Sequence, residues 1–507
     1  MALFASKPDH PMADIRQAKT YIAELPADAY KAIEEITYWL DSVTREEFKA
    51  DHRLALIDLL DQAAKNHQRK LSQDYVATER KQKFLETRLW KAVFEFWKAL
   101  GDAYLRCIEQ YQAGAGAIKK DLPVIVARAL RALTLQLKWE LLRYGPIEDR
   151  IWADIGRLYQ FADTRYFTTD QIAIYPGAHG ASSVQTEFLK AVMLGVSSTD
   201  GLVPLRQEIA ERVVAHFGGL FTLQPQPGEG CNYFLDLAMR EPPARVRKGV
   251  TAGPTTRFFG AGRALPALYK LMQDIKQKDG VPSDVYLGGN FETALVLAVL
   301  QHLAMYWSDH APARDSERRK IATRLTVVHG YPEIVAALGA HADAVSLVFD
   351  EPDGESWIVE NVSDGGYGAI IPQVRGDWIC VGAVVGVKTE TAKAWGAGVI
   401  RRLTRDKFEQ RCVGIQLLSK SATAVRLAPA GNVSSLNATR EGDQAILLSV
   451  APDKNGEIEL LLRVGSFTTG QSLDMSVGGK SYLLMPSKLI EGGDDFDWAR
   501  FRLMERQ

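Results

Sequence analysis

Residues 360–371 have the sequence "ENVSDGGYGAII", which sets an Asn, a Ser, an Asp and three glycines between two apolar runs typical of β-strands. A glycine inside a strand pattern usually marks a bulge, a tight bend or a surface that another group approaches closely. Three glycines within four positions are more than a two-residue hairpin turn needs. The stretch therefore predicts a β-rich region here, and the rest of the chain has to distinguish a turn from a ligand site.

Length and composition describe an ordinary globular chain with several domains. A chain of 507 residues is too long to fold around a single hydrophobic core, so we expect roughly two to four domains. Hydrophobic residues make up 46% and charged residues 24%, and the net charge is −1. A near-neutral chain disfavours an extended basic surface for nucleic acid, although a local basic pocket remains compatible with it.

The apolar segments and the cysteines indicate a cytoplasmic protein without metal or disulfides. The N-terminal residues lack the apolar core of a signal peptide, and the most apolar helical stretches carry Arg or Lys every few residues, so we expect no membrane insertion. The cysteines Cys107, Cys231, Cys380 and Cys412 lie far apart and form no CxxC pair. Disulfides and a zinc site are therefore not expected.

The N-terminal half of the chain has the periodicity of α-helices. We expect a helical domain over residues 1–165 and a mixed, mainly helical scaffold over residues 166–310. One apolar face recurs at three- or four-residue spacing, and it consists of Leu89, Val93, Trp97, Leu100, Tyr104 and Ile108. Such a face is either a docking groove for a partner helix or an ordinary bundle core.

From about residue 311 the period changes to that of short β-strands separated by turns. The β-rich runs include residues 323–331, 344–351, 356–363, 366–373 and 411–419. Runs of this length at regular intervals predict a small antiparallel barrel or sandwich over residues 311–425. Residues 426–507 continue the pattern, either as an extension of that barrel or as a second small one. The predicted fold class is therefore α+β multidomain, with a helical N-terminal half followed by β structure.

An arginine cluster lies just before the first predicted strand of the barrel. It consists of Arg314, Arg318, Arg319 and Arg324. Guanidinium groups match phosphate oxygens bidentately, and the same geometry matches O6 and N7 of guanine. In the hairpin, Asn361 and Ser363 offer short polar side chains, while Gly365 and Gly366 leave room for a base to lie close. Together these residues predict a site for a guanine nucleotide that carries phosphates.

Residues 311–425 resemble the PilZ domain, the bacterial receptor module for cyclic di-GMP. The pattern of that family is an RxxxR arm followed by (D/N)xSxxG on a six-stranded barrel, and the stretch from Asn361 through Ser363 to Gly366 fits the second half. The runs at 395–406 and 412–419 look like the later strands of the family. The resemblance implies cyclic di-GMP as the ligand, with no cofactor. The residues that it assigns to the ligand are Arg318, Arg319, Arg324, Asn361, Ser363, Gly365 and Gly366.

The arginine arm departs from the family pattern. Arg319 and Arg324 are five positions apart, one more than RxxxR allows, whereas Arg314 and Arg318 satisfy that spacing further upstream. Three alternatives follow. One residue is looped out between Arg319 and Arg324, or the arm uses Arg314 and Arg318, or the barrel binds no nucleotide.

No catalytic motif for a hydrolase, a metalloprotease, a P-loop NTPase or a kinase occurs in the sequence, so we expect no enzyme. Two functional hypotheses remain. The first is a cyclic di-GMP receptor that relays the level of this second messenger to a protein partner through its helical half. The second is an adaptor whose degenerate PilZ-like barrel binds protein partners and no nucleotide.

Overall fold

The computed structural model describes residues 10–78, 82–175, 180–247, 249–310, 319–339, 354–373, 375–430, 443–449, 451–477 and 480–505. The chain divides into two compact units, residues 1–313 and residues 314–507. The first unit is mainly helical and the second consists mainly of β-strands. The predicted α+β multidomain fold with a helical N-terminal half is confirmed.

The helices of the first unit account for most of its described residues. They are α1 (Ile15–Ala23), α2 (Ala29–Arg45), α3 (Ala50–Ala77), α4 (Lys83–Gln112), α5 (Leu122–Leu142), α6 (Asp149–Asp163), α7 (Val184–Val196), α8 (Pro204–Phe217), α9 (Ala264–Lys278) and α10 (Thr293–Trp307). Several begin at the residues that helix-start signals favour. Ser183 caps α7 by accepting a hydrogen bond from the Thr186 N–H, and Pro204 occupies the first turn of α8.

The periodic face of α4 is the core of this bundle. The side chains from Leu89 to Ile108 that recur at helical spacing are all buried, and they belong to one hydrophobic cluster that extends from Ile33 to Trp307. Of the two alternatives for this face, the structure therefore shows the bundle core. In the part of the chain that the structure describes, no helix is long and apolar enough to cross a membrane.

A small antiparallel sheet interrupts the helices of the first unit. Its strands are β1 (Thr222–Gln224), β2 (Tyr233–Asp236), β3 (Ala244–Arg245) and β4 (Thr256–Gly260), in the order β1-β4-β2-β3. Phe259 of β4 and Tyr233 of β2 contribute to the same cluster as the helices. The helices and the small sheet thus belong to one compact unit, and the domain boundary that the sequence predicts near residue 165 lies inside it.

The second unit begins with a closed antiparallel barrel. Its strands are β5 (Arg319–His329), β6 (Glu355–Ser363), β7 (Gly366–Ile371), β8 (Val384–Thr389), β9 (Gly396–Arg405) and β10 (Arg411–Ser419), in the order β10-β7-β6-β5-β8-β9. Strand β6 shows the alternation that forms such a wall, since Trp357 and Val359 are buried while Ile358 is exposed. The run predicted as a strand at residues 344–351 lies outside the described residues.

The C-terminal residues form a second closed barrel, which decides between the two alternatives for this region. Its strands are β11 (Thr423–Pro429), β12 (Asp443–Leu447), β13 (Glu457–Arg463), β14 (Leu473–Val477), β15 (Lys480–Gly492) and β16 (Phe496–Glu505), in the order β11-β12-β13-β16-β15-β14. Leu460, Leu484 and Phe501 fill its interior.

A short helix that the strand pattern did not predict joins the two barrels. Helix α11 (Tyr331–Gly339) follows β5, and its buried Ile334 and Leu338 share a hydrophobic cluster with residues of both barrels, including Val384 and Phe496. The Tyr331 hydroxyl donates a hydrogen bond to the carbonyl oxygen of Leu461 over 2.8 Å. Arg401 adds a two-pronged ion pair to Glu491, with both N–O distances 2.6 Å.

Candidate functional site

Three adjacent strands of the first barrel bring most of the predicted ligand residues to one end of the wall. Strand β6 lies between β5 and β7, and the register places Arg319 opposite Val362 and Lys320 opposite Asn361. On the other side of β6, Ser363 lies opposite Gly366 across the turn into β7. Arg319 of the predicted arm and the polar residues of the hairpin are therefore neighbours.

Both strands that carry the site contain an irregularity at this end. Between Lys320 and Thr323 the register of β5 against β6 shifts, since their partners are Asn361 and Val359. Between Val359 and Asn361 the register of β6 against β7 shifts in turn. An extra residue in one strand bends it and redirects its side chains, and such bulges are common at barrel rims and binding sites.

The side chain of Asn361 occupies a place that a glycine makes available. A Cβ atom added at Gly368 would lie 2.6 Å from Asn361 Oδ1, so the amide rests directly over this residue of β7. Asn361 Oδ1 is buried and has no hydrogen-bond partner in the part of the chain that the structure describes. A buried acceptor without a donor is rare in folded proteins and costs free energy unless a ligand or water pairs with it.

The glycines of the hairpin serve different purposes. Gly366 is buried, and a Cβ atom there would lie 1.9 Å from the carbonyl oxygen of Ile415, so the close approach of β10 requires a glycine. Gly365 is exposed and a Cβ atom there would meet nothing within 4 Å. Asp364 and Gly365 form a two-residue turn between β6 and β7. Sequence reasoning placed both glycines beside the ligand and missed Gly368, whose only signal was its position in the Gly-rich stretch.

Two arginines of the predicted arm lie within β5 and are exposed. Arg324 lies opposite Ile358, and its Nη1 approaches Ser356 Oγ at 3.5 Å. Arg319 is the first residue of the strand. Arg314 and Arg318, the upstream pair, lie outside the described residues.

An open depression of about 730 Å³ lies beside the bulge of β5. It is lined by Lys320, Ile321, Ala322, Ile358, Val359, Glu360 and Asn361. The unpaired Asn361 amide thus borders a surface with aliphatic and charged side chains. Asp364 of the turn forms an ion pair with Lys420, with Oδ1 3.6 Å from Nζ, and both side chains are exposed. On β7, burial raises the pKa of Tyr367 above its ordinary value, which keeps this hydroxyl neutral.

The described residues contain no group of three or more His, Cys, Asp or Glu side chains arranged to hold a metal ion. The arrangement offers the cations of Arg319, Lys320 and Arg324, the carboxylate of Glu360, an amide, a hydroxyl and the aliphatic side chains of the depression.

A comparison with known protein families found a match in the helical first unit of the chain. Residues 16–227 match the family model described as the N-terminal domain of the cyclic-di-GMP receptor FimW. The match covers less than half of the chain and ends shortly after the strand β1, so it lies wholly in the helical unit. No curated protein and no solved structure shows a significant match. The region in which sequence reasoning found no chemistry is thus the one that resembles a receptor family.

Proposed function

We propose that the chain is a cyclic di-GMP receptor and that the barrel β5–β10 is a PilZ-like sensor domain. The observation that carries the proposal is the register at one end of β6, where Arg319 pairs with Val362, the residue between Asn361 and Ser363, and Lys320 pairs with Asn361 beside the open depression. Lys320 and Asn361 line this depression, and Arg319 and Ser363 are their neighbours along β5 and β6.

The chemistry of the site fits a guanine nucleotide. The guanidinium groups of Arg319 and Arg324 are exposed and offer forked donors to phosphate oxygens or to the O6 and N7 atoms of guanine. The buried Asn361 Oδ1 requires a donor, and the N1–H and N2–H groups of guanine are donors. Ser363 is half-buried and adds a hydroxyl that donates or accepts.

The family match supports the same ligand from a separate part of the chain. Residues 16–227 are similar to the N-terminal domain of a cyclic-di-GMP receptor, and the arginine arm and hairpin lie beyond them. Two regions that do not overlap therefore point to one second messenger. The proposal also includes a cytoplasmic, bacterial protein without enzyme activity.

We further propose that the helical unit relays the ligand signal to a protein partner. A receptor without its own catalysis has to act through differential contacts, so the bound and free states must expose different surfaces. Hydrogen exchange of the full chain with and without cyclic di-GMP tests this step. The relay requires altered protection within residues 16–227, and protection changes confined to the barrels would refute it.

Isothermal titration calorimetry on the full chain tests the ligand. We expect cyclic di-GMP to bind in preference to GTP and to cyclic di-AMP, and we expect Asn361→Ala together with Ser363→Ala to weaken the binding. An exposed pair on the second barrel, Asn455→Ala with Ser481→Ala, is the matched control and should bind as the unmodified chain does. Absence of binding heat with cyclic di-GMP would contradict the receptor proposal and favour the alternative, an adaptor whose barrel binds protein partners and no nucleotide.

A further inference from the structure

The helical unit contains a polar cavity that the proposed function does not use. It has a volume of about 590 Å³, and its walls come from α3, α4, α5, α7, α8 and the residues that precede α7. All of its lining residues lie between Asp61 and Gly219, within one compact unit. The cavity is therefore a property of this unit alone, separate from the barrel site.

Three cations of this cavity form no ion pair within 4.0 Å among the described residues, although the more distant carboxylates of Glu187, Glu211 and Asp61 help to raise the pKa of Arg131. Lys65 and Arg69 project from successive turns of α3 and are exposed, while Arg131 of α5 is partly buried. The charged groups of Lys65 and Arg131 each lie 5.6 Å from the centre of the Tyr175 ring. This cation–π arrangement holds both cations at the cavity wall without neutralising them.

Two buried donors of lining residues lack acceptors among the residues that the structure describes. They are the Nε atom of Arg131 and the Nε1 atom of Trp97. Unpaired donors at this depth carry a desolvation cost that an acceptor-rich ligand removes. Both residues line the cavity, so one ligand can reach this wall.

The carboxylates of the cavity are already engaged by protein groups. Asp61 accepts hydrogen bonds from the hydroxyls of Tyr104 and Tyr175, at 3.0 and 3.1 Å. Glu187 accepts from the Ser182 hydroxyl and from Lys190 Nζ, both at 2.7 Å.

The other cations of the wall complete the balance of charge. Arg212 is paired with Glu208, whose Oε1 lies 2.9 Å from its Nη2. Even with Arg212 paired to Glu208, the lining has an excess of positive charge, because its two carboxylates, Asp61 and Glu187, are outnumbered by the four remaining cations, Lys65, Arg69, Arg131 and Lys190.

We propose that this cavity binds a small anion that carries phosphate groups. Phosphate supplies several strong acceptors and more than one negative charge, which matches several cations and two unpaired donors. The cavity volume accommodates a compact phosphorylated molecule and excludes a folded partner or a nucleic-acid duplex. The site is independent of the barrel and of the ligand proposed for it.

Calorimetry with inorganic pyrophosphate as the probe tests the cavity on the full chain. Lys65→Gln together with Arg69→Gln removes two exposed cations without disturbing a described ion pair. The matched control is Arg16→Gln together with Lys19→Gln on the exposed side of α1, which changes the charge equally. We expect pyrophosphate to bind the unmodified chain and the control, and to bind the cavity variant at least about tenfold more weakly. The affinity should also fall as salt is added.

The outcomes separate the cavity from the barrel. Binding of pyrophosphate that persists in the Asn361→Ala, Ser363→Ala variant and is lost in the cavity variant supports the proposal. Absence of binding to the unmodified chain, or equal binding to the cavity variant and its control, overturns it. Cyclic di-GMP titrated into the same variants tests the barrel separately. Loss of cyclic di-GMP binding in the cavity variant alone would refute the barrel site and identify the dinucleotide as the anion of the cavity.

Discussion

Arg319 and Arg324 are five residues apart on β5, yet their partners across the sheet, Val362 and Ile358, are four residues apart on β6. The difference is the one residue that β5 gains between Lys320 and Thr323, where the register shifts. A strand that accommodates an extra residue in this way keeps its pairing on both sides of the bulge. The spacing that departs from the RxxxR pattern is therefore compatible with regular pairing of both arginines to β6.

Arginine replacements test whether this pair clamps the ligand. We expect Arg319→Ala and Arg324→Ala each to weaken cyclic di-GMP binding by about 1.5–3 kcal/mol, the range for hydrogen bonds to charged groups. Arg426→Ala, an exposed arginine on β11 of the second barrel, is the matched control and should leave the affinity unchanged. Calorimetry on the full chain measures all three.

Arg314→Ala separates the two alternatives for the arm. Because the bulge in β5 accommodates the extra residue, we expect Arg319 and Arg324 to form the arm. Arg314→Ala should therefore reduce the affinity for cyclic di-GMP less than either Arg319→Ala or Arg324→Ala. Greater losses from Arg314→Ala and Arg318→Ala would mean that the upstream pair forms the arm.

Asn361→Ala should affect binding and stability in opposite ways. Because Asn361 Oδ1 is buried without a partner, removing the amide eliminates a desolvated acceptor and should leave the free energy of unfolding of the barrel unchanged or slightly higher. Affinity for cyclic di-GMP should fall by about 1–3 kcal/mol, since a donor of the ligand would then be left unpaired. Urea unfolding and calorimetry on one preparation measure both. A destabilised barrel with unchanged affinity would show that the amide is structural.

Replacing the two neighbouring glycines should have unequal effects on stability. Gly366→Ala places a Cβ atom against the carbonyl oxygen of Ile415 and should lower the free energy of unfolding by about 1–3 kcal/mol, the usual cost of overpacking. Gly365→Ala meets open space and is the control, with little change expected. Thermal unfolding of both variants decides. Gly366→Val would press against the same carbonyl oxygen, so it tests strand packing. Gly365→Val places its side chain in open space and is the better steric probe of the ligand surface.

The contribution of Glu140 to the stability of the helical unit should fall as the pH rises from 4.5 to about 8. Burial raises the pKa of Glu140 from its ordinary value of 4.5 to about 8, although its carboxylate accepts a hydrogen bond from the Glu148 N–H over 3.1 Å. In this window the folded chain holds a proton that the unfolded chain releases, so unfolding becomes more favourable with increasing pH.

Glu140→Gln tests that dependence. The variant keeps an acceptor for the Glu148 N–H and has no titrating group, so its stability relative to the unmodified chain should rise with pH across the window. Glu95→Gln, a glutamate with an exposed side chain on α4, is the control. Urea unfolding followed by far-ultraviolet circular dichroism measures the helical unit. Parallel pH profiles for the two variants would contradict the role of Glu140.

Local patterns in the sequence determined which kind of element each region forms. The recurrence of Leu89, Val93 and Trp97 at helical spacing, and the alternation along residues 356–363, follow from the geometry of one helix or one strand. These features depend on near neighbours along the chain, so they can be predicted from the sequence without knowledge of the fold. The hairpin with Asn361 and Ser363 could be located for the same reason.

The tertiary structure decided everything that depends on a distant partner. Gly366 is required by the carbonyl oxygen of Ile415, and Asn361 lies over Gly368, because strands that are remote or offset in sequence pack side by side. The cavity that unites Lys65, Arg131 and Tyr175 has the same origin, since its residues come from different helices and from the segment that precedes α7. Packing between elements sets the register of the strands, the closure of a barrel and the proximity of charged side chains. The periodicity within one element therefore does not predict them.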